Sequence, residues 1–367
     1  MNKCEPQEVR DQQWSENTRP VVTVVCITFN QRPYIREAIE SFLSQKTTFP
    51  VEIVIHDDAS VDGTAEVVRD YAAKFPQFIK AVLQPENIFS RGISRAPFID
   101  PLIHGEFLAI CEGDDYWHRS DKLEKQVAVF REEPSVAMVC SDVNVLKGAN
   151  RLMKSIKNRI GVNPRQYSEG DITLRYLKGE LLDYLCSTML PTSIFYKAKE
   201  NCDFKFWPCG ELVDLQIQVE CSRLGKIRYI PEALATYRIL PVSAARPKTP
   251  DATFNHYLRC LQMNEYYIKR FGYSDEHLQD IRNGNVFFML NQAVKRRAFH
   301  LRARLLALVN DKRVVTCDRL GAFALWSLES DLRFKLYCLC DPIISVWRKA
   351  NGLTRRYAKR LFRSHGL

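Results

Sequence analysis

Three carboxylates fall within four positions at Glu112-Gly113-Asp114-Asp115, directly after the short apolar run Phe107–Cys111. The run has the length and make-up of a buried strand, and it stops abruptly at the acids. Carboxylates this close repel one another, so gathering them requires a positive partner. At the C-terminal end of a strand in an open sheet, where ligands bind, a divalent cation is the simplest one. Glu112 and Asp114 are two apart, so in extended chain both would point to one side. Hard oxygen donors suit Mg2+ or Mn2+, which keep some water and share phosphate oxygens with a substrate. The bland alternative is an acidic surface turn, and the order of the surrounding elements argues against it.

Val21–Thr28 is a β-branched run, followed by Phe29-Asn30-Gln31-Arg32 and by Pro33, which suits a first helical turn. Ile35, Ala38, Ile39, Phe42 and Leu43 then keep helical spacing. A second strand is expected over Val51–Ile55, ending in His56-Asp57-Asp58-Ala59-Ser60-Val61-Asp62-Gly63-Thr64, with a helix from Ala65 to Phe75. Ile79–Leu83, Phe107–Cys111 and Val136–Cys140 continue the series, the last after a helix over Lys122–Phe130. Strand and helix alternate every roughly thirty residues, the length of a βαβ unit, which predicts an α/β fold with a mostly parallel sheet flanked by helices. Asn30, Asp57, Asp58, Glu112, Asp114 and Asp115 all follow strands, so they should converge on one crevice fit for a nucleotide or phosphate ligand.

The whole chain of 367 residues is 46% hydrophobic and 26% charged, the balance of a globular protein. Its net charge of +10 favours an anionic partner. Met1–Pro20 is polar and lacks the apolar core of a signal peptide, and twelve scattered cysteines contain no Cys-x-x-Cys. A reducing, cytoplasmic setting is therefore expected. No Gly-x-Gly-x-x-Gly follows the first strand and no P-loop occurs, which disfavours dinucleotide and P-loop folds. A basic nucleic-acid-binding protein would explain the charge, but Asp57, Asp58, Asp114 and Asp115 would repel a polyanion, so no nucleic acid is expected. A sugar-phosphate nucleotidyltransferase is a nearer alternative, yet its Gly-rich loop after the first strand is missing from Phe29-Asn30-Gln31-Arg32.

Val24-Val25-Cys26-Ile27-Thr28-Phe29-Asn30, Asp57-Asp58-Ala59-Ser60-Val61-Asp62-Gly63-Thr64 and Glu112-Gly113-Asp114-Asp115-Tyr116-Trp117 together resemble the serial signatures of family 2 glycosyltransferases with the GT-A fold. Gly225-Lys226-Ile227-Arg228-Tyr229-Ile230-Pro231-Glu232 and Tyr237-Arg238 fit the closing part of that pattern, so the resemblance runs from Pro20 to Ile239. It implies inverting transfer from a nucleoside diphosphate sugar, with a UDP-sugar the expected donor, to a glycan or lipid-linked acceptor in cell-surface polysaccharide synthesis. Thr28 and Asn30 match positions lining the nucleotide pocket. Asp57 matches the acid that bonds the base, with Asp58 beside it. Glu112-Gly113-Asp114 takes the Asp-x-Asp place, so Asp114 should meet the Mn2+ or Mg2+, and Asp115 a donor or acceptor. The resemblance also implies a catalytic base opening the helix that precedes the Gly-Lys-Ile turn, and counting back from Gly225 reaches Asp214, with Glu211 as rival three residues earlier. Two departures stand out: Glu112 replaces the commoner Asp, and Leu240 stands where a histidine is frequent.

The expected organisation is a polar segment over residues 1–19, a catalytic domain over 20–250 and a helical extension over 251–367. Within the extension, helices are expected from about Tyr257, over Val286–Phe299 and over Leu301–Val309. A last helix, Pro342–Phe362, sets an apolar stripe with Trp347 beside Arg348, Lys349, Arg355, Arg356, Lys359, Arg360 and Arg363. That pattern suits peripheral binding to an anionic membrane surface, or else a helix docked on its own domain.

Overall fold

The computed structural model describes residues 5–15, 17–148, 151–181, 183–202, 214–240, 249–311, 314, 325, 327–331, 333–335 and 337. The chain divides into two compact units, Met1–Thr173 with Asp183–Leu240, and Leu174–Leu182 with Pro241–Leu367. The first carries every described residue singled out above for chemistry. Glu211 and the Pro342–Phe362 segment lie outside the described residues.

Ten strands are described: β1 (Gln7–Glu8), β2 (Val22–Thr28), β3 (Lys46–Thr47), β4 (Val51–Asp57), β5 (Ile79–Leu83), β6 (Phe107–Glu112), β7 (Val136–Lys147), β8 (Arg151–Met153), β9 (Met189–Pro191) and β10 (Lys226–Ile239). The main sheet has the order β10-β7-β9-β6-β2-β4-β5, with β8 hung on β7. β2, β4, β5 and β6 run parallel, as do β7 and β10, while β9 lies antiparallel between β6 and β7. The mostly parallel α/β architecture expected from the sequence is therefore present. All seven residues of β4 are buried, and six of seven in β2. That accounts for their mainly apolar, β-branched make-up: helices cover both faces of such a sheet, leaving no wet side.

The helix Ile35–Leu43 buries Ile35, Ala38, Ile39, Phe42 and Leu43 on the stripe their spacing anticipates. Pro33 does not enter its first turn. Tyr34 and Ile35 both donate their backbone N–H to the Gln31 carbonyl, so Pro33 sits in the turn that leads in. The helix Thr64–Lys74 opens on Asp62, whose Oδ1 accepts from the Thr64 N–H at 3.0 Å, with Gly63 between them at φ +93°. The polar N-terminus is tied down: β1 pairs with β3, and Val9 is fully buried in the core.

β7 runs seven residues past the expected end at Cys140 because its later polar side chains are satisfied. Asp142 accepts backbone N–H groups from Val143, Lys157 and Asn158, and Asn144 accepts from Ser155. At the opposite, N-terminal edge of the sheet, buried Glu52 accepts from Thr23 Oγ1 at 2.6 Å, Lys80 Nζ at 2.8 Å and the His104 N–H at 2.7 Å. The seven described cysteines are free thiols.

The second unit is helical, with Pro250–Arg270, Asp275–Lys295 and Arg302–Asp311. Thr249 and Ser274 cap the first two through their side chains. The second helix begins well before the expected Val286, because its first turns are polar. No described helix is long and apolar enough to cross a membrane.

Candidate active site

The ends of β2, β4 and β6 lie side by side, since Thr28 pairs with Asp57 and Ile27 with Glu112. Register thus gathers the singled-out residues of three strands at one edge. The acidic segment does not stay extended beyond Glu112. Gly113 and Asp114 form a turn closed by Asp115 N–H to Glu112 O at 3.0 Å, so the alternation argument for Glu112 and Asp114 fails. Close packing produces the turn. A Cβ on Gly113 would stand 2.6 Å from Gln31 Oε1 and 2.8 Å from Thr28 Oγ1, so only glycine allows the loop to lie against β2.

The side chains at this edge fall into two groups. Those at the ends of β2 and β4 are already occupied. Thr28 Oγ1 donates to Gln31 Oε1 at 2.8 Å. Asn30, in the left-handed region at φ +52°, accepts the Val61 N–H at 2.9 Å, a conformation asparagine tolerates. Asp57 is fully buried, its two oxygens taken by the N–H and hydroxyl of Ser60. Asp58 receives the N–H groups of Ile88 and Phe89 at 2.9 and 3.2 Å. A ligand reaches Asp57 only after Ser60 releases it.

The second group has far fewer partners. Glu112 and Asp214 are open to water, yet protein surrounds both. That surrounding mass, with Asp114 and Asp214 as negative neighbours, pushes the Glu112 carboxyl up to about 8. Burial likewise lifts Asp214, in the first turn of the helix Asp214–Leu224, to about 6. Asp114 is raised by burial, against opposing pulls from the nearby Arg238 guanidinium and Gln31. Asp115, almost fully buried, is raised well above its ordinary value by burial and then by Asp114 and Glu112. Four carboxyl groups with this shared strain make a site short of positive charge.

Arg238, at the end of β10, supplies part of it. Its guanidinium is buried between the rings of Tyr34 and Tyr116, 5.2 and 4.5 Å from their centroids. It donates to the Asp114 carbonyl at 2.5 Å and pairs with Glu37 of the helix Ile35–Leu43. Its backbone N–H donates to Asp115 Oδ1 at 2.7 Å. Tyr116 and Thr236 exchange backbone hydrogen bonds, fastening the acidic loop to β10. Trp117 lies in the core: it packs on Phe42 at 4.7 Å and donates to the Cys186 carbonyl. Sequence reasoning missed the parts played by Gln31, Glu37 and Arg238. For Gln31 a signal existed, a polar residue three after Thr28, and Arg238 stands in the Tyr237-Arg238 piece of the closing pattern; for its pairing with Glu37, 201 positions away, none did.

A divalent cation fits this donor set. Asp115 faces inward to Arg238 and Cys186, which leaves Glu112, open to water, and the buried Asp114 as the loop's other two carboxylates. Among the described residues no three His, Cys, Asp or Glu side chains are grouped to hold a metal by themselves. Magnesium and manganese sites of this type take one or two carboxylates and complete their shell with water and substrate phosphate.

Residues 23–189 match the family model "Glycosyl transferase family 2". Over those residues the chain is similar to family 2 glycosyltransferases, and its fold is the GT-A fold. Uncharacterized proteins of Mycobacterium tuberculosis and Mycobacterium bovis are 43% identical over 127 residues, which is 34% of this chain and only 36% of each relative's length. A Bacillus subtilis protein provisionally assigned to teichuronic acid biosynthesis, TuaG, is 33% identical over 116 residues, 32% of this chain and 44% of the relative. Among solved structures, S. aureus TarS 1–349 in complex with UDP-GlcNAc superposes with a TM-score of 0.57 at 16% identity, covering 88% of this chain and 91% of that one. At that identity the likeness speaks for the fold alone.

Proposed function

We propose that this chain is a family 2 glycosyltransferase that moves a sugar from a nucleoside diphosphate sugar, a UDP-sugar, to a hydroxyl of a glycan or lipid-linked acceptor, with inversion. The observation that carries the reading is the convergence of Glu112, Asp114, Asp115 and Asp214, all pushed toward their protonated forms, at the strand edge beside Thr28 and Asn30. A nucleotide-sugar donor accords with the UDP-GlcNAc held by the similarly folded TarS, TuaG supports polysaccharide synthesis as the setting, and the cytoplasmic face of a membrane is the place we propose for it.

In this reading Thr28 and Asn30 border the nucleoside. Asp57 meets the base once Ser60 turns away, and Asp58 holds the Ile88–Phe89 turn beside it. Mn2+ or Mg2+ at Asp114 would offset the charge that builds on the departing diphosphate. Arg238 and Gly113 fix Asp114 and Asp115 in place. Asp214, with a carboxyl near 6, is ionised at neutral pH and open to water, so it can take the acceptor proton as the hydroxyl attacks. Attack opposite the leaving group inverts the anomeric centre.

The test is a screen of UDP-, GDP- and dTDP-sugars with Mn2+ present, followed by NMR of the product anomer. Inverted product from a UDP-sugar is expected. Pyrophosphate release from a sugar phosphate and a nucleoside triphosphate, without transfer from any donor, would replace this reading with nucleotidyl transfer.

A further inference from the structure

From Val143 to Ser168 the chain has six Lys or Arg residues and no Asp or Glu. Lys157 is buried and paired with Asp183. The other five, Lys147, Arg151, Lys154, Arg159 and Arg165, are all exposed, and none has a carboxylate partner among the described residues. Two large apolar side chains are exposed between them, Leu152 at 43% and Ile160 at 40%. A run of exposed cations interspersed with large apolar side chains suits a surface that offers both negative charge and an apolar layer.

Register shows where this excursion stands. Ala109 of β6 and Val139 of β7 both face Met189, which sets the two strands level. Tyr116, just after the acids, bridges to Thr236, and Thr236 pairs with Asn144. β7 continues three residues beyond Asn144 to Lys147, roughly 10 Å at the rise of a strand. β8 then folds back with Lys147 opposite Arg151. The hairpin therefore stands out past the sheet edge at which the carboxylates open. The short helix Ile156–Arg159 is held beside it by Asp142.

We propose that this hairpin and the turn behind it dock the protein on an anionic lipid surface, with the carboxylate edge of the sheet facing the bilayer. Charge alone would suit any polyanion. The exposed leucine and isoleucine favour lipid, because apolar side chains gain by entering the boundary between headgroups and acyl chains and gain nothing against a hydrated phosphate chain. A site held edge-on to the membrane meets an acceptor anchored there without extracting it. The docking surface lies on residues apart from the basic C-terminal tail and requires no particular donor.

The test uses the full chain and reads lipid binding, so it can fail independently of the transfer reading. Sedimentation with phosphatidylcholine vesicles, with and without phosphatidylglycerol, is compared at low and high salt. Wild type should bind the phosphatidylglycerol vesicles and be weakened by salt. Each basic group near an acidic leaflet strengthens binding by roughly fivefold, so Lys147→Glu with Arg151→Glu and Lys154→Glu should lower vesicle partitioning on the order of 100-fold or more. Leu152→Ser with Ile160→Ser should reduce the part of the binding that survives high salt. UDP binding should be unchanged in both variants. Vesicle binding by the triple variant equal to wild type would overturn the proposal. So would wild-type binding to soluble polyphosphate with no binding to vesicles. Should the triple variant fail to fold, a polarity-sensitive dye on Leu152→Cys decides: its emission should shift to the blue with phosphatidylglycerol vesicles, and an unchanged spectrum refutes docking.

Discussion

Arg238→Met isolates the cation that braces the acidic loop. Methionine keeps most of the aliphatic stem between Tyr34 and Tyr116, so lost packing is small. The bond to the buried Asp114 carbonyl is charge-assisted and contributes roughly 1.5–3 kcal/mol. The pair with Glu37 contributes less, below about 1 kcal/mol, because Glu37 is 52% exposed and water screens it. Cation–π contact with the two rings adds roughly 0.5–1 kcal/mol each. Against these, methionine removes the cost of burying a guanidinium, several kcal/mol in a dry interior but reduced here by the partly wet Glu37 side. The net expectation is a loss of about 2–3 kcal/mol, or a fall of roughly 5–10 °C in melting temperature for a unit of this size. Thermal unfolding without ligand measures it, and Glu37→Gln should fall by less than half as much. A drop below about 2 °C for Arg238→Met would refute the brace and reduce Arg238 to filling the space between Tyr34 and Tyr116.

Asp214→Asn should keep donor binding and lose transfer on the order of 100-fold or more. The base works ionised and its carboxyl lies near 6, so the wild-type rate should rise with pH through about 6; an equal rise in the variant excludes Asp214. Gly113→Ala pushes a methyl into Gln31 and Thr28, and overpacking of this kind costs roughly 1–3 kcal/mol. It should weaken Mn2+-dependent UDP binding by calorimetry, whereas unchanged binding would show that the loop can shift freely. Burial pushes the Glu52 carboxyl up, but bonds from Lys80, Thr23 and His104 outweigh it and hold the group below its ordinary value. Its contribution is therefore full above the unfolded value of about 4.3 and fades as pH falls through the lower, folded one. Glu52→Gln should lower stability near neutral pH and flatten the acid limb of a urea-melt series, and parallel limbs would contradict this.

The sheet was legible where burial is complete, and less so where polar groups are paired at a distance. Ile79–Leu83 has the bounds its apolar run indicates, and β2, β4 and β6 differ from expectation by a residue or two. β7 was cut short at Cys140 because Ser141, Asp142 and Asn144 look like loop residues. Their partners, Lys157, Asn158 and Ser155, become visible only in three dimensions. The acidic site was legible as polar residues abruptly following apolar strands, since that pattern reflects where a parallel sheet opens to ligand. Its bracing was not, because a contact between Glu37 and Arg238 leaves no periodicity in the chain. The extended path assumed for Glu112-Gly113-Asp114 failed for a related reason: the turn answers to Thr28 and Gln31, on another strand end.

The acids at this edge do unlike work despite their common chemistry, and the difference locates the missing positive charge. Asp57, Asp58 and Asp62 all accept from backbone N–H groups, of Ser60, of Ile88 and Phe89, and of Arg32 and Thr64. Carboxylates so used shape the loops after β2, β4 and β5, and their hydrogen bonds satisfy much of their charge locally. Glu112 and Asp214 stand together with fewer such donors; Asp214 adds to Glu112's reluctance to ionise, and burial raises Asp214 itself. Asp114 has Arg238 near it, but that guanidinium already serves a carbonyl and Glu37. The uncompensated charge is thus concentrated at the end of β6 and the start of the helix Asp214–Leu224, because Asp57, although burial raises it too, has both oxygens bonded to Ser60. A cation drawn to this edge should settle there and leave the end of β4 alone. That division would let one end of the site recognise a nucleoside through shape and hydrogen bonds while the other holds a diphosphate through charge.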